Sequence, residues 1–328
     1  DVEHAQCINC HSYQNYNPAR MQFHVREDMG GTVIAYDGQL TKVNLKTDSL
    51  ISAGVYPNWH PTEKIIAYSV NQTGQTFHTL DLQKVEVQDT RSDLILYDVD
   101  RNEVTRIKGD PDELEVFPRW SPDGRHLYYA SARFAQTDTA ADLTSETIAR
   151  YKDIKYDLYR RSFDPATREV GPAELVFDAA GLNKSATMPR VSPDGRFLLF
   201  ALGGYGVFHI WHKDADLYLM DLRTRQARPL AEANSPDSES QGMWSSNGRW
   251  IVFSSRRNDG NYTRPFIAYI DKDGKGRKPF ELPQDDPDMH RSFMRSYNIP
   301  EFMSGPVEVS PQEFATLIRD TEARPARQ

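Results

Sequence analysis

A seven-residue turn motif recurs along the 328-residue chain and constrains its fold more than any other feature. Arg-Trp-Ser-Pro-Asp-Gly-Arg at residues 119–125 returns as Arg-Val-Ser-Pro-Asp-Gly-Arg at 190–196, and with substitutions at 243–249 and 58–64. Proline presets φ and glycine accepts positive φ, so each copy predicts a tight turn. A repeat at intervals of this length indicates stacked supersecondary units, none of which can bury its own hydrophobic face.

Each unit has the pattern of four strands. The first strand leads into the turn, and the short apolar run after the turn is the second strand. A third strand begins near an aspartate, and a polar turn then leads to a fourth strand. The predicted second strands cover residues 65–68, 127–130, 197–200 and 250–253, and the third strands cover 93–97, 157–159, 216–220 and 266–270. Four antiparallel strands per repeat predict an all-β fold, a β-propeller of five to seven four-stranded blades.

The repeated turn also carries a family resemblance. Together with the apolar strand after it and an Asp-Leu-Tyr-Leu strand at 216–219, it resembles the TolB-like, WD-repeat-like periplasmic propellers. The resemblance covers roughly residues 30–283 and implies a periplasmic propeller, but it says little about chemistry because such scaffolds bind more often than they catalyse. Propellers of this type usually close with six or seven blades. The repeats supply four complete blades and a degenerate N-terminal one, so a missing blade must come from irregular segments, or the ring is unusual.

The chain's two cysteines lie in one motif, Cys7-Ile8-Asn9-Cys10-His11. In a C-x-x-C-H segment both thiols can add to the haem vinyl groups, and the adjacent histidine then lies beneath the iron as an axial ligand. A structural zinc site needs two further Cys or His ligands at suitable spacing, and a thioredoxin-like pair needs a strand-to-helix context. The sequence therefore predicts one covalent haem c on Cys7 and Cys10, with His11 as the proximal iron ligand.

The position of the motif predicts where the haem lies. It precedes a predicted strand at 21–25 and occupies the slot that residues 119–122 fill in a later blade. We therefore expect residues 10–13 to belong to the innermost strand of the first blade.

Candidates for the sixth iron ligand are His24 and His78, with Met21 a weaker third. His24 lies on the strand beside the motif. Direct cross-strand neighbours are only ~5 Å apart at Cβ, which is a tight spacing for two ligands on opposite sides of one haem. His78, like the pair His209 and His212, lies in a long loop with more freedom. A five-coordinate iron would instead leave a position for a small ligand or for peroxidase-like chemistry.

The connections from the second to the third strand are the long ones, at residues 71–92, 133–155 and 202–215. Loops that lengthen on one face of a rigid scaffold usually carry binding, and the innermost strand of a blade begins at this same face. We therefore expect the haem and these loops to share a face on which a redox or envelope protein partner docks. Both charge signs occur there, at Asp81, Lys84, Glu86, Arg133, Asp138 and Arg150.

The sequence divides into three segments. Residues 1–29 are the haem-binding segment and part of the first blade, 30–283 the propeller, and 284–328 an extended tail with a short helix at 310–322. Ser310 is the predicted N-cap of that helix, with Pro311 at its first position and Glu313 completing a capping box.

Composition excludes two classes of partner. The formal net charge is -8, and no Lys/Arg-rich run with interleaved aromatic residues marks a nucleic-acid surface. The longest apolar run, roughly 197–208, is far shorter than the ~20 residues of a membrane-spanning helix.

Because haem of this kind is attached outside the cytoplasm, we expect an exported c-type cytochrome, periplasmic or at the cell surface, that transfers single electrons. The alternative is a non-catalytic binding or assembly module of an envelope complex with a structural haem.

Overall fold

A computed structural model describes residues 7–80, 83–137 and 142–328. The described residues form five sheets, each with four antiparallel strands that are hydrogen-bonded in chain order. This arrangement confirms the predicted all-β propeller with four-stranded blades, of which five are complete.

The blades have the following strands. Blade 1 contains β1 (Ile8–Tyr13), β2 (Arg20–Val25), β3 (Gly31–Tyr36) and β4 (Gln39–Asn44). Blade 2 contains β5 (Gly54–Trp59), β6 (Ile65–Phe77), β7 (Val85–Asp98) and β8 (Glu103–Arg106). Blade 3 contains β9 (Glu113–Trp120), β10 (His126–Arg133), β11 (Asp157–Phe163) and β12 (Val170–Phe177). Blade 4 contains β13 (Ser185–Val191), β14 (Phe197–Gly203), β15 (Asp216–Asp221) and β16 (Gln226–Pro229). Blade 5 contains β17 (Glu239–Trp244), β18 (Trp250–Ser255), β19 (Arg264–Tyr269) and β20 (Phe280–Glu281).

The described helices are short. They are α1 (Leu143–Ala149), α2 (Met289–Ser292) and α3 (Pro311–Asp320), with 3-10 turns at Tyr151–Asp153, Ala180–Leu182 and His209–Trp211. Helix α3 confirms the predicted tail helix, because Ser310 caps it and Glu313 completes the capping box. The last strand, β21 (Arg324–Pro325), pairs in parallel with β4 at the outer edge of blade 1.

The repeated turn is built by side-chain hydrogen bonds. In the copy at 119–125, the backbone N–H of His126 donates to Ser121 Oγ at 2.9 Å, and Ser121 Oγ donates to Asp123. Gly124 takes φ +70°, which a side chain would strain. The copies at Ser192 and Ser245 repeat these bonds, and they explain why the motif recurs so faithfully.

The innermost strand of every blade carries a bulge with one left-handed residue. These residues, with φ from 51° to 57°, are Cys10, Tyr56, Phe117, Met188 and Gln241. In each blade the pairing between the first and second strands shifts register at this point. The second cysteine of the C-x-x-C-H motif therefore occupies a position that the fold repeats in all five blades.

The C-terminal segment occupies the place of a sixth blade. Ile299 has φ 34°, and Ile299-Pro300 repeats the Tyr-Pro, Phe-Pro and Met-Pro pairs found at three of the bulges. Its backbone N–H donates to Gln241 Oε1 in blade 5 at 2.6 Å, and the Ser304 N–H donates to the Tyr16 carbonyl beside blade 1 at 2.9 Å. The irregular segment thus fills the gap between blades 5 and 1.

Helix α3 covers the face of blade 1 that points toward this gap. Met21, Phe23 and Val33 form a buried cluster there, and Phe314 packs edge-on against Phe23 with ring centroids 5.1 Å apart. Irregular chain from the tail thus takes the place of a regular blade, one of the two possibilities that the count of repeats leaves open.

Candidate functional site

The C-x-x-C-H motif begins at the rim of the propeller. Cys7 is exposed just before β1, and its carbonyl accepts a hydrogen bond from the Arg26 N–H at 2.9 Å. Cys10 is partly buried, and Gln22 Nε2 donates to its carbonyl at 2.6 Å. Both thiols are free. The strand β1 is the first strand of blade 1, as the position of the motif predicts.

A cavity of about 680 Å³ lies between blades 1 and 2 and opens to solvent on this rim. Its lining includes Cys10, His24, Arg26, Tyr56, Asn71 and Thr73. Asn71 and Thr73 belong to β6, at the start of the first long connection. The second cysteine of the motif and this long connection therefore face the same cavity.

Burial is the main influence on the Cys10 thiol. It raises the pKa of Cys10, while the backbone of Tyr56 and the charges of Arg26 and Arg119 act in the opposite direction. The thiol is therefore protonated at neutral pH and is not a reactive thiolate.

His24 lies on the strand beside the motif, as predicted, and pairs directly with Asn9 across the sheet. Its Nδ1 is 3.2 Å from Thr32 Oγ1, and the side chain lines the cavity with Cys10. Burial and then the Arg26 charge lower the pKa of His24 to about 4. His24 is therefore neutral at pH 7 and can donate a lone pair to a metal.

His11 faces away from this cavity. Its Nε2 lies 3.8 Å from Glu301 Oε2, and its ring centroid is 5.9 Å from that of Tyr13. The structure brings Cys10 and His24 together and places His11 beside Glu301 instead. Cys10 lines the cavity, whereas neither Cys7 nor the His11 imidazole does.

The other ligand candidates lie elsewhere. His78 stacks on Tyr151 with ring centroids 5.3 Å apart, and Met21 is 5% exposed in the cluster beneath α3. Neither side chain lines the cavity of Cys10. Among the described residues, no three His, Cys, Asp or Glu side chains converge on a point where a metal ion could be held, so zinc binding by the cysteine pair lacks further ligands there.

A charged cluster formed by Arg119, Arg190 and Glu301 was not predicted from the sequence. Arg119 is buried, with Nη1 donating to the carbonyls of Tyr56, Pro57 and Pro118 at 2.8–3.0 Å. Arg190 Nη2 lies 3.7 Å from Glu301 Oε1. Glu301 follows Ile299-Pro300 just as Arg119 follows Phe117-Pro118. This sequence match is the signal from which the position of Glu301 near Arg119 could have been predicted.

The long connections contact one another. His212 Nε2 lies 3.3 Å from Glu86 Oε1, both buried, and Tyr151 packs edge-on against Tyr205 at 5.5 Å. The three predicted loops thus form one continuous surface, in which the exposed Phe77 and Leu80 lie at the β6–β7 hairpin. Of the predicted charged positions, Asp81 and Asp138 lie outside the described residues.

The described part of the chain contains no helix that is both long and apolar enough to cross a membrane.

Comparison with solved structures supports the fold and does not extend to chemistry. The chain is similar to oligogalacturonate lyase in complex with manganese, with a TM-score of 0.51 and 14% identity over 84% of this chain and 68% of that one. It is similar to a structure named for TolB from Agrobacterium tumefaciens, with a TM-score of 0.51 and 13% identity over 85% of this chain and 81% of that one. These similarities confirm a TolB-like β-propeller fold.

A third similar structure is the GH74 enzyme of Niastella koreensis, with a TM-score of 0.51 and 11% identity over 84% of this chain and 38% of that one. No protein-family model matches the sequence, and no curated protein matches it. At these identities the similarity shows the architecture, so function has to be argued from the site.

Proposed function

We propose that the chain carries one covalent haem c through Cys7 and Cys10, with His11 as proximal ligand, and transfers single electrons to or from a protein partner outside the cytoplasm. One observation carries the proposal. The chain has only two cysteines, and they stand three residues apart, directly before a histidine, at the start of the innermost strand of blade 1. Thioether attachment explains this arrangement, whereas a disulfide framework would need further cysteines and a structural zinc site would need two further Cys or His ligands.

The rim cavity supports the proposal in a second way. It is open to solvent, and Cys10 and His24 both line it. A haem held there would present an edge to the outside, where a partner docking on the long connections could reach it. The haem itself would supply the one-electron chemistry, while the propeller would hold it and present the docking surface.

His11 has to leave Glu301 if it is to serve the same haem. Its side chain is 39% exposed and adjoins the bulge at Cys10. The alternative, a binding or assembly module with a structural haem, requires a haem sealed from solvent. The open cavity favours electron transfer over that alternative.

Optical spectra of the protein purified from its native host test the proposal. We expect dithionite to change the visible spectrum and carbon monoxide to leave it unchanged, because of the two candidates for the sixth ligand we choose His24, whose neutral imidazole lines the cavity. The His24→Ala variant should then bind carbon monoxide, and the His78→Ala variant should not, because His78 is stacked on Tyr151. A spectrum without any visible band contradicts the proposed function, and carbon monoxide binding by His78→Ala alone contradicts the choice of His24.

A further inference from the structure

A second cavity, of about 260 Å³, lies where the innermost strands of the five blades end and lead into their first turns. Pro122 and Ser246 line it and are exposed, so a ligand can enter from solvent. Arg190 supplies a cationic group to the lining. Aromatic side chains form much of the wall, namely Tyr13, Tyr16, Trp59, Trp120 and Trp244.

Arg190 has hydrogen-bond donors to spare in this cavity. Its side chain is 13% exposed, and its Nη2 lies 3.7 Å from Glu301 Oε1, which is beyond hydrogen-bond distance. Among the described residues, the Arg190 guanidinium donates no hydrogen bond. A guanidinium carries five N–H donors in a planar fork, so Arg190 can bind an acceptor that enters the cavity.

The charged cluster behind the cavity has more positive than negative charge. Arg119 and Arg190 are two buried cations, and Glu301 is the carboxylate that acts on both. The tyrosine hydroxyls add no counter-charge at pH 7, because burial raises the pKa of Tyr13 and raises that of Tyr16 to about 12. Buried charge is costly unless it is compensated, so an anion bound at Arg190 would stabilise this cluster.

The wall of the cavity suits a small aromatic ring. Trp59 and Trp244 donate their indole N–H groups to the carbonyls of Ser12 and Arg190, which fixes both rings in place. Trp120 Nε1 is buried and has no partner among the described residues. Aromatic rings pack on one another offset or edge to face. A volume of about 260 Å³ lies just below that of pockets for drug-sized ligands, and it fits one ring with a short chain.

We propose that this cavity binds a small aromatic carboxylate, with the carboxylate on Arg190 and the ring among the tryptophans. An arginine fork can donate two parallel hydrogen bonds to the two oxygens of a carboxylate, which gives both affinity and orientation. The inference goes beyond the proposed electron transfer and does not depend on it, because no residue of the C-x-x-C-H motif lines this cavity.

Calorimetric titration of the protein purified from its native host tests the inference, with phenylacetate as the probe and phenylacetamide as its neutral match. We expect phenylacetate to bind about tenfold more tightly or better, because hydrogen bonds to a charged partner are stronger than those to a neutral one. Arg190→Gln should lower the affinity for phenylacetate about tenfold and leave the affinity for phenylacetamide nearly unchanged.

A pair of tryptophan substitutions tests the location. Ser246→Trp adds an indole at the exposed rim of the cavity and should abolish phenylacetate binding. Thr62→Trp adds the same group at an exposed turn position of blade 2 that does not line the cavity, and it should bind phenylacetate as the unaltered protein does.

Three results would overturn the inference: no binding of phenylacetate by the unaltered protein, equal affinities for phenylacetate and phenylacetamide, or binding that survives Ser246→Trp. If Arg190→Gln does not fold, the comparison of the two ligands and the pair of tryptophan variants still decide the question, because neither changes Arg190. The haem content of the same preparation is measured separately by its visible spectrum, so failure of this inference and failure of the proposed function are distinguishable.

Discussion

Replacing both cysteines with serine should abolish covalent haem attachment completely. Thioether formation needs a thiol, and the chain has no other cysteine to substitute. Serine is close to cysteine in size, so the bulge at Cys10 and the exposed position of Cys7 tolerate it without loss of the fold. The measurement is extraction with acidified organic solvent after production in a periplasm that attaches haem c: the unaltered protein should keep its haem, and the variant should release all of it.

Ile8 offers a matched control within the motif. It lies between the cysteines and is 61% exposed, so Ile8→Ala removes a side chain of the same segment without a packing cost. We expect this variant to keep its haem fully. Haem that resists extraction in the double serine variant would show that another residue holds it.

Removal of residues 297–328 should destroy cooperative folding. These residues supply the inner segment of the sixth position and helix α3, which packs Phe314, Leu317 and Ile318 against the buried face of blade 1. Each large apolar side chain exposed costs about 1.5–3 kcal/mol, and the native state as a whole is stable by only about 5–15 kcal/mol. Without the segment, blades 5 and 1 would also face each other across an open gap.

Thermal unfolding followed by circular dichroism measures this effect. The control is removal of residues 323–328, which deletes β21 and its hydrogen bonds to Asn44 and Asn102 but keeps α3. That truncation should lose only the ~0.5–1.5 kcal/mol expected for each hydrogen bond. A protein lacking 297–328 that unfolds as sharply, and at the same temperature, as the full chain would show that the tail does not close the ring.

The blades could be predicted because their signals are local. The Ser-Pro-Asp-Gly turn contains its own hydrogen-bond partners, as Ser121 and Asp123 show, and each apolar strand follows within a few residues. The capping box of α3 is local for the same reason. The extension of β6 and β7 into a long hairpin was not predicted, because its outer half alternates mostly polar and exposed residues.

The sixth position and the site depend on contacts between distant parts of the chain. Ile299 is not followed by the turn motif and has no strand partner. That it corresponds to Phe117, the left-handed residue of the bulge in blade 3, becomes clear only once the structure shows a bulge in every blade. Glu301 reaches His11 from nearly the other end of the sequence. The orientation of His11 could not be predicted either, because the spacing of the motif does not fix the direction in which the His11 side chain points.

The intact mass of the protein purified from its native host tests the central claim most directly. We expect a single species heavier than the polypeptide by one haem, with the extra mass retained on the peptide that contains Cys7 and Cys10 after proteolysis. A mass equal to that of the bare polypeptide would contradict the claim that this propeller carries covalent haem.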